Sequence, residues 1–320
     1  AILCTSYGGP LSVGEVASRS LAAGEVRIRV EACGVNFPDT LIVDGKYQSR
    51  PDLPFPPGGE VAGEVTEVAP KVTRVAVGDS VIAVTLWGGF AEELVASEWQ
   101  VMRRPAAMDA VTAAGFGMIY GTSCHALKQR AALRPGETLL VLGAAGGVGL
   151  TAVELGRLMG ARVIAAASSA EKLALAREYG AAETINYSEA SLKDSIKGLT
   201  AGRGADVIYD PVGGDLGLEA VRGLAWNGRL LVVGFAGGSI QSIPANLALL
   251  KGASIVGVFW GSFREREPEV EAANFRQLFD WYNEGRLKPP VSRTYPLEKA
   301  EDALAELRSR RATGKLVLTV

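Results

Sequence analysis

Residues 138–149 read TLLVLGAAGGVG, and this stretch decides the fold. Its first half, TLLVLG, is an apolar run typical of a buried strand. Its second half is the GxGxxG pattern with alanine in place of the first glycine, and a helical segment follows it. Glycines allow the backbone to approach a pyrophosphate, and the helix offers unpaired N–H groups. We therefore expect a dinucleotide-binding turn formed by Ala145, Gly146, Gly147 and Val148; the alternative is a glycine-rich turn that binds nothing.

Strands and helices alternate regularly after this turn. RVIAAAS (162–168) predicts a second strand, and AEKLALAREYG (170–180) predicts the helix that follows it. Four more apolar runs predict strands: ETINY, ADVIYD, GRLLVVGF and ASIVGVF. Six strands alternating with helices indicate an α/β fold with a doubly wound parallel sheet of the Rossmann type.

The chain on either side of this alternating part has a different pattern. Four segments before residue 100 resemble short strands separated by turn signals: VRIRVEACGV, GGEVAGEVTEVA, DSVIAVTL and FAEELVA. KLVLTV at the C-terminus resembles another strand. They predict a β-rich, mostly antiparallel catalytic domain into which the Rossmann domain is inserted. We place the catalytic domain at 1–122 and 259–320 and the Rossmann domain at 123–258.

Composition excludes several classes of protein. The 33 basic and 35 acidic residues give a net charge of −2, and no basic stripe interleaved with aromatic residues indicates a nucleic-acid partner. Three widely spaced cysteines form no disulfide framework or CxxC metal motif. The opening AILCTSYGG has no charged n-region or cleavage site. The segment 110–127 has no Asp, Glu, Lys or Arg, but it contains polar residues that disfavour a membrane span. We expect a cytoplasmic protein with reduced thiols.

The end of the second strand indicates which dinucleotide binds. An NAD site usually has a carboxylate there that binds the ribose 2′-hydroxyl, whereas this strand ends in Ser168 and Ser169. Lys172 follows, and Tyr187 ends the next strand. Hydroxyls and an ammonium bind a 2′-phosphate that a carboxylate repels. The pattern favours NADPH, although Lys172 at a helix start is also compatible with a solvated surface lysine.

The sequence resembles the zinc-independent quinone oxidoreductases of the medium-chain dehydrogenase/reductase superfamily. Seven segments carry the resemblance, in this order along the chain: ACGVNFPDTLIVDGKY, PGGEVAGEV, GAAGGVG, ASSAEKL, YDPVGGD, GRLLVVGF and GVFWG. The resemblance implies a GroES-like catalytic domain, an NADPH cofactor with its nicotinamide between the two domains, and a homodimer formed through the last sheet strand near 253–259.

The same resemblance argues against a catalytic metal. In the zinc-dependent alcohol dehydrogenases of the superfamily, the three metal ligands correspond to Asn36, Gly59 and a position near Phe116. Zinc requires thiolate, imidazole or carboxylate ligands at fixed spacing. We therefore expect no metal, and without a Lewis acid reversible alcohol oxidation is disfavoured.

Site residues are also implied by the resemblance. Asn36 and Thr122 match residues near the nicotinamide ribose or ring, and Arg311 matches an arginine near the cofactor phosphates, although Arg310 lies beside it. The 2′-phosphate pocket and the nicotinamide lining correspond respectively to Ser168, Lys172 and Tyr187, and to Phe235, Phe259 and Trp260.

The expected reaction is NADPH-dependent reduction of a quinone or a conjugated α,β-unsaturated carbonyl compound. Tyr47 and Asn36 are the candidate catalytic residues; Tyr47 either donates a proton to the reduced substrate or packs against it. The sequence does not select the acceptor. An enoyl-CoA or acryloyl-CoA type thioester reductase remains an alternative, as does an NADPH-binding sensor or structural protein with little turnover.

Overall fold

Two structural units make up the chain in a computed structural model that describes residues 1–320. The first unit comprises Ala1–Met118 and Pro289–Val320, and the second comprises Ile119–Lys288. The strands are, in chain order, β1 (Ile2–Cys4), β2 (Leu11–Val13), β3 (Glu25–Val35), β4 (Glu60–Val68), β5 (Ser80–Val84), β6 (Glu93–Ser97), β7 (Val101–Arg103), β8 (Thr138–Val141), β9 (Arg162–Ala167), β10 (Glu183–Asn186), β11 (Ala205–Asp210), β12 (Leu224–Val232), β13 (Ser254–Gly257), β14 (Val291–Pro296) and β15 (Lys315–Thr319).

Eleven α-helices connect or flank these strands. They are α1 (Phe37–Val43), α2 (Ala110–Ala114), α3 (Gly117–His125), α4 (Gly147–Leu158), α5 (Ala170–Glu178), α6 (Leu192–Leu199), α7 (Gly214–Arg222), α8 (Ala245–Lys251), α9 (Trp260–Arg266), α10 (Pro268–Asn283) and α11 (Ala300–Arg308). The longest, α10, has 16 residues, and none combines the length and apolar character needed to cross a bilayer.

The first unit is organised around a seven-stranded sheet. Its main path runs β14-β15-β3-β4-β5-β7, and β6 pairs with the other end of the long strand β3. All the pairings except the parallel β14–β15 pair are antiparallel. Alternate side chains of β3 enter an apolar core that includes Val26, Ile28 and Val30. The antiparallel β-rich domain predicted from the sequence is confirmed.

The second unit contains the predicted six-stranded sheet. The strand order is β10-β9-β8-β11-β12-β13, and every pairing is parallel. From β8 the chain first adds β9 and β10 on one side and then β11, β12 and β13 on the other. The point between β8 and β11 is therefore the topological switch point, where doubly wound sheets bind ligands. The α/β fold class predicted from TLLVLG and the alternation after it is confirmed.

The boundaries between the units differ from the sequence prediction, slightly at the first crossing (118/119 rather than 122/123) and strongly at the second. We assigned 259–288 to the catalytic domain, whereas this segment packs within the second unit. Lys128 Nζ donates to Gln277 Oε1 at 2.9 Å, and the Gln129 amide donates to Asn274 Oδ1 at 3.0 Å, so α10 is tied to the chain following α3. The chain returns to the first unit at Pro289 rather than at 259.

Candidate active site

The glycine-rich turn lies between β8 and α4, where the sequence predicts it. Gly146 occupies the N-cap position, and the Leu150 N–H donates to its carbonyl at 2.8 Å. The N–H groups of the first helical turn have no partner within the helix. A Cβ added to Gly146 would meet only the Gly143 carbonyl oxygen, at 3.5 Å, whereas a Cβ on Gly149 would lie 2.3 Å from the same atom. Gly149 allows the helix to pack on the turn, and Gly146 leaves open space at the helix N-terminus.

These features fit the phosphates of a dinucleotide. Ala145 is buried, while Gly146, Gly147 and Val148 are half-buried at the start of a 12-residue helix. The helix dipole and free N–H groups favour an anion at this position.

Ser168 and Tyr187 lie at the carboxyl ends of the adjacent strands β9 and β10, and Lys172 lies in the first turn of α5. The Tyr187 N–H donates to the Ala167 carbonyl at 3.2 Å, which extends the β9–β10 pairing by one residue. The Ser169 side chain caps α5 by accepting from the Lys172 N–H at 3.4 Å. All three predicted side chains are half-buried. Ser168 and Tyr187 therefore follow neighbouring strands, Lys172 lies in the first turn of α5, and no carboxylate directly follows β9.

Three aromatic residues that were predicted to line the nicotinamide differ in their surroundings. Phe235 is half-buried beside Gly213, on which a Cβ would lie 2.8 Å from its ring. Phe259 is 60% exposed, whereas Trp260 is 6% exposed. The Trp260 indole N–H donates to Glu271 Oε1 at 2.7 Å.

Helix α3 explains why Trp260 is buried. A Cβ on Gly121 would lie 2.4 Å from the Trp260 ring, so the glycine makes room for the indole. Thr122, the next residue, is half-buried on the same helix. Of the two adjacent aromatic residues, Phe259 is thus the one with most of its surface open to a ligand.

A buried polar cluster in the first unit surrounds Asn36. Lys315 Nζ donates to Asn36 Oδ1 and, at 2.8 Å, to Glu60 Oε2. The Asn36 amide nitrogen donates to Glu60 Oε2 at 3.1 Å and to the Gly34 carbonyl at 3.2 Å. The Lys315 and Glu60 side chains are 3% and 0% exposed. Asn36 was predicted as a site residue, but its charged partners were not.

Asp39 lies next to this cluster and is also buried. Its carboxylate accepts from the Asn36 N–H at 2.7 Å and from the Gly59 N–H at 3.2 Å. Burial raises the pKa of the Asp39 carboxyl to about 7, although these N–H donors and Lys315 favour its charged form. Burial also raises the pKa of the Cys33 thiol well above its usual range, so Cys33 stays protonated and is not a nucleophile.

Tyr47 and Arg311 occupy less regular parts of the first unit. Tyr47 follows α1, is half-buried and packs against the apolar core. Burial, together with the negative charge of Asp39, raises the pKa of the Tyr47 phenol, so the hydroxyl remains a proton donor at neutral pH. Arg311 is exposed, and its Nε donates to Ser309 Oγ at 3.0 Å.

The positions that correspond to zinc ligands carry no set of metal donors. Asn36 is bonded to Lys315, Gly59 has no side chain, and Phe116 is fully buried. No group of three or more His, Cys, Asp or Glu side chains is arranged to hold a metal ion.

Known families and proteins match nearly the whole chain. A family model described as alcohol dehydrogenase GroES-like domain matches residues 22–120, and one described as zinc-binding dehydrogenase matches residues 147–276. Quinone oxidoreductase-like protein 2 of Bos taurus is 41% identical over 321 residues, covering 100% of this chain and 92% of that protein.

Two further matches carry the name quinone oxidoreductase. The protein of Sus scrofa is 36% identical over 324 residues, covering 99% of this chain and 97% of that protein. The crystal structure of the Escherichia coli quinone oxidoreductase complexed with NADPH superimposes with a TM-score of 0.93 at 28% identity, covering 100% of this chain and 99% of that one.

Proposed function

The chain belongs to the quinone oxidoreductase family of the medium-chain dehydrogenase/reductase superfamily, and from this premise we propose that it reduces quinones or α,β-unsaturated carbonyl compounds with NADPH, without zinc. The observation that carries the proposal is the pair of neighbouring turns after β8 and β9. The first leaves open space at the N-terminus of a helix. The second carries Ser168 and leads to Lys172 in α5 with no carboxylate directly after β9, and Tyr187 follows the adjacent strand β10.

The residues of the second unit bind and orient the cofactor in this proposal. The N–H groups of Gly147 and Val148 bind the pyrophosphate. Ala145 and Gly146 complete the turn, in which the Gly146 N–H donates to the Gly143 carbonyl at 3.0 Å. The 2′-phosphate is held by Ser168, Lys172 and Tyr187, since a charge-assisted hydrogen bond to phosphate is stronger than a neutral one. Thr122, Phe235, Phe259 and the buried Trp260 shape the nicotinamide pocket, and the exposed Arg311 is a further candidate to bind the cofactor phosphates.

NADPH supplies a hydride when it is bound. Residues of the chain must then stabilise the negative charge that develops on the substrate. Reduction of an enone at its β-carbon leaves negative charge on the carbonyl oxygen and requires a proton. Tyr47 is the donor that we propose, because its phenol is protonated at neutral pH and half-buried. A quinone is less dependent on such a donor, since its reduced oxygens take protons from water.

The proposal is tested by measuring NADPH oxidation with a panel of acceptors. The panel contains a benzoquinone, a 2-alkenal and an enoyl-CoA thioester, each with NADPH and with NADH. We expect turnover with a quinone or an enone and at least tenfold tighter binding of NADPH than of NADH, which corresponds to about 1.4 kcal/mol. Tight NADPH binding without turnover of any acceptor would indicate a sensor or structural protein instead.

We also propose that the protein is a homodimer paired through β13. This strand is the last in its sheet and bonds only to β12, so its other edge has unpaired backbone groups. Large apolar side chains are exposed close to it in sequence or in the sheet: Trp226, Leu249, Leu250 and Ile255. A second copy of the same edge would cover both features through a twofold axis.

Sedimentation analysis tests the dimer. We expect a mass of twice 33.5 kDa, and Ile255→Lys should shift the protein toward the monomer. Val13→Lys, at an exposed apolar position on β2 of the first unit, is the matched control and should remain dimeric. A monomeric unmodified protein at micromolar concentration refutes the proposal.

A further inference from the structure

The side-chain oxygen of Asn36 is fixed by a buried cation. Lys315 Nζ donates to Asn36 Oδ1 and to Glu60 Oε2. An ammonium group has donors and no acceptor, so only the oxygen of the Asn36 amide can face it. The two ionised side chains are almost completely shielded from water, and the interaction is therefore weakened little by solvent.

The side-chain nitrogen of Asn36 is fixed by two acceptors. Its hydrogens are donated to Glu60 Oε2 at 3.1 Å and to the Gly34 carbonyl at 3.2 Å. Rotating the amide by half a turn would place its NH₂ group against the Lys315 ammonium and its oxygen against a carboxylate and a carbonyl. The amide therefore has one orientation, and both of its hydrogens are used within the protein.

The strand order brings Lys315 and Glu60 to the same point of the sheet. β15 and β4 pair with opposite edges of β3, so Lys315 and Glu60 flank Gly34. A Cβ on Gly34 would lie 2.0 Å from the Ala114 carbonyl oxygen, 2.8 Å from Glu60 Oε2 and 2.9 Å from Lys315 Cε, so the glycine leaves room both for the α2 backbone and for the ion pair. The Met118 N–H anchors the carboxylate by donating to Glu60 Oε1 at 2.7 Å.

We infer that Lys315 is a positioning residue that, with Glu60, restricts Asn36 to accepting a hydrogen bond through Oδ1 from an O–H or N–H donor of the bound cofactor. This inference rests on the proposed NADPH-dependent function. It has a chemical consequence, because an acceptor cannot stabilise the negative oxygen of a reduced substrate. Asn36 then orients the cofactor, and the donor for the substrate oxygen is another group.

A mutant cycle on cofactor binding separates positioning from a purely structural role. Lys315→Met combined with Glu60→Gln removes both charges of this ion pair, so neither of the two partners is left buried and unpaired. NADPH dissociation constants are measured by fluorescence for the unmodified protein, this double variant, Asn36→Ala and the triple variant, with thermal unfolding recorded for each. Lys299→Met combined with Asp302→Asn, an exposed pair at 3.6 Å in the same unit, is the matched control.

We expect Asn36→Ala and the double variant each to weaken NADPH binding about tenfold, and the triple variant to be no weaker than either. The control pair should bind NADPH like the unmodified protein. The inference is overturned if the triple variant binds NADPH about a hundredfold more weakly than the unmodified protein, because the two effects then multiply. It is also overturned if the double variant binds NADPH normally. If the unmodified protein does not bind NADPH, the proposed function fails and not the orientation of Asn36.

The orientation itself is testable in the unmodified protein without any cofactor. The two Asn36 Nδ2 protons are identified in the amide spectrum of ¹⁵N-labelled protein by their absence in Asn36→Ala. Because both protons are bonded to buried acceptors, we expect both to exchange with solvent at least a hundredfold more slowly than those of an exposed asparagine. Exchange of either proton at the exposed rate overturns the inference even if the double variant does not fold.

Discussion

Gly146 and Gly149 belong to the same turn, and the structure predicts opposite consequences for replacing them by alanine. A Cβ on Gly146 enters open space at the start of α4, with its nearest contact at 3.5 Å. A Cβ on Gly149 lies 2.3 Å from the Gly143 oxygen and 2.9 Å from the Ala144 Cα, and both are backbone atoms. Alanine at 146 should therefore impair phosphate binding and leave the fold intact, whereas alanine at 149 should impair the fold.

The magnitudes follow from these contacts. Alanine is better than glycine in a helix interior by about 1 kcal/mol, but forcing a methyl against backbone costs roughly 1–3 kcal/mol or more. We expect Gly149→Ala to lose about 2 kcal/mol of unfolding free energy in the second unit. Gly146→Ala should lose about 1 kcal/mol at most, because alanine is a poorer N-cap residue than glycine. Its NADPH dissociation constant should rise at least tenfold, which corresponds to about 1.4 kcal/mol.

Thermal unfolding and fluorescence titration with NADPH measure the two effects separately. Gly198→Ala is the matched control, since this exposed residue lies within α6 and its added Cβ meets nothing within 4 Å. The control should keep normal NADPH affinity and gain up to about 1 kcal/mol. A folded Gly146→Ala variant with unchanged NADPH affinity would show that the turn does not bind the phosphates. Unchanged stability of Gly149→Ala would refute the packing argument.

Four other predictions concern cofactor choice, proton donation, metal content and pH. Lys172→Ala should weaken NADPH binding by about 1–3 kcal/mol and leave NADH binding nearly unchanged; an equal loss for both cofactors contradicts the 2′-phosphate assignment. Tyr47→Phe should lower turnover of an enone by about tenfold or more and turnover of a quinone less, and normal enone turnover at saturation excludes the donor role. Elemental analysis should find no stoichiometric zinc, and chelation should leave NADPH oxidation unchanged; one tightly held zinc per chain contradicts this. Burial raises the pKa of Glu271 from 4.5 to about 7. The folded state therefore holds this proton more tightly, so the stabilising contribution of Glu271 is greatest below pH 4.5 and is lost as pH rises to 7, by about 3 kcal/mol at most. Glu271→Gln should gain stability relative to the unmodified protein between pH 5 and pH 8, and parallel stability curves would refute the shift.

Local patterns predicted the parts of the fold that depend on local chemistry. The apolar run at 138–142 and the glycines after it identify a strand, a turn and a helix within a dozen residues. The six parallel strands follow from repeated alternation of the same kind. Strands β2, β7 and β14 were not predicted, because β2 and β7 have 3 residues each and the largely exposed β14 has no apolar alternation. Their pairing partners, rather than their own residues, determine that they are strands.

Long-range contacts were not predictable, and they decide what the site residues can do. Neither Phe259 nor Trp260 has a sequence feature that shows which of the two is buried; the bond from Trp260 to Glu271 and the space above Gly121 decide it. These partners also explain why 259–288 packs with the second unit.

The same limit applies most strongly to Asn36. Its position in the sequence suggests contact with a cofactor, but an amide can both donate and accept, so position alone leaves the direction of its hydrogen bond open. Lys315, whose ammonium settles that direction, is 279 residues away in the chain and comes close only because β15 pairs with β3. Since Asn36 has no hydrogen left to donate, a proton or a hydrogen bond for the substrate oxygen must come from elsewhere. Tyr47, whose phenol pKa is raised by burial and by Asp39, is the donor that we propose.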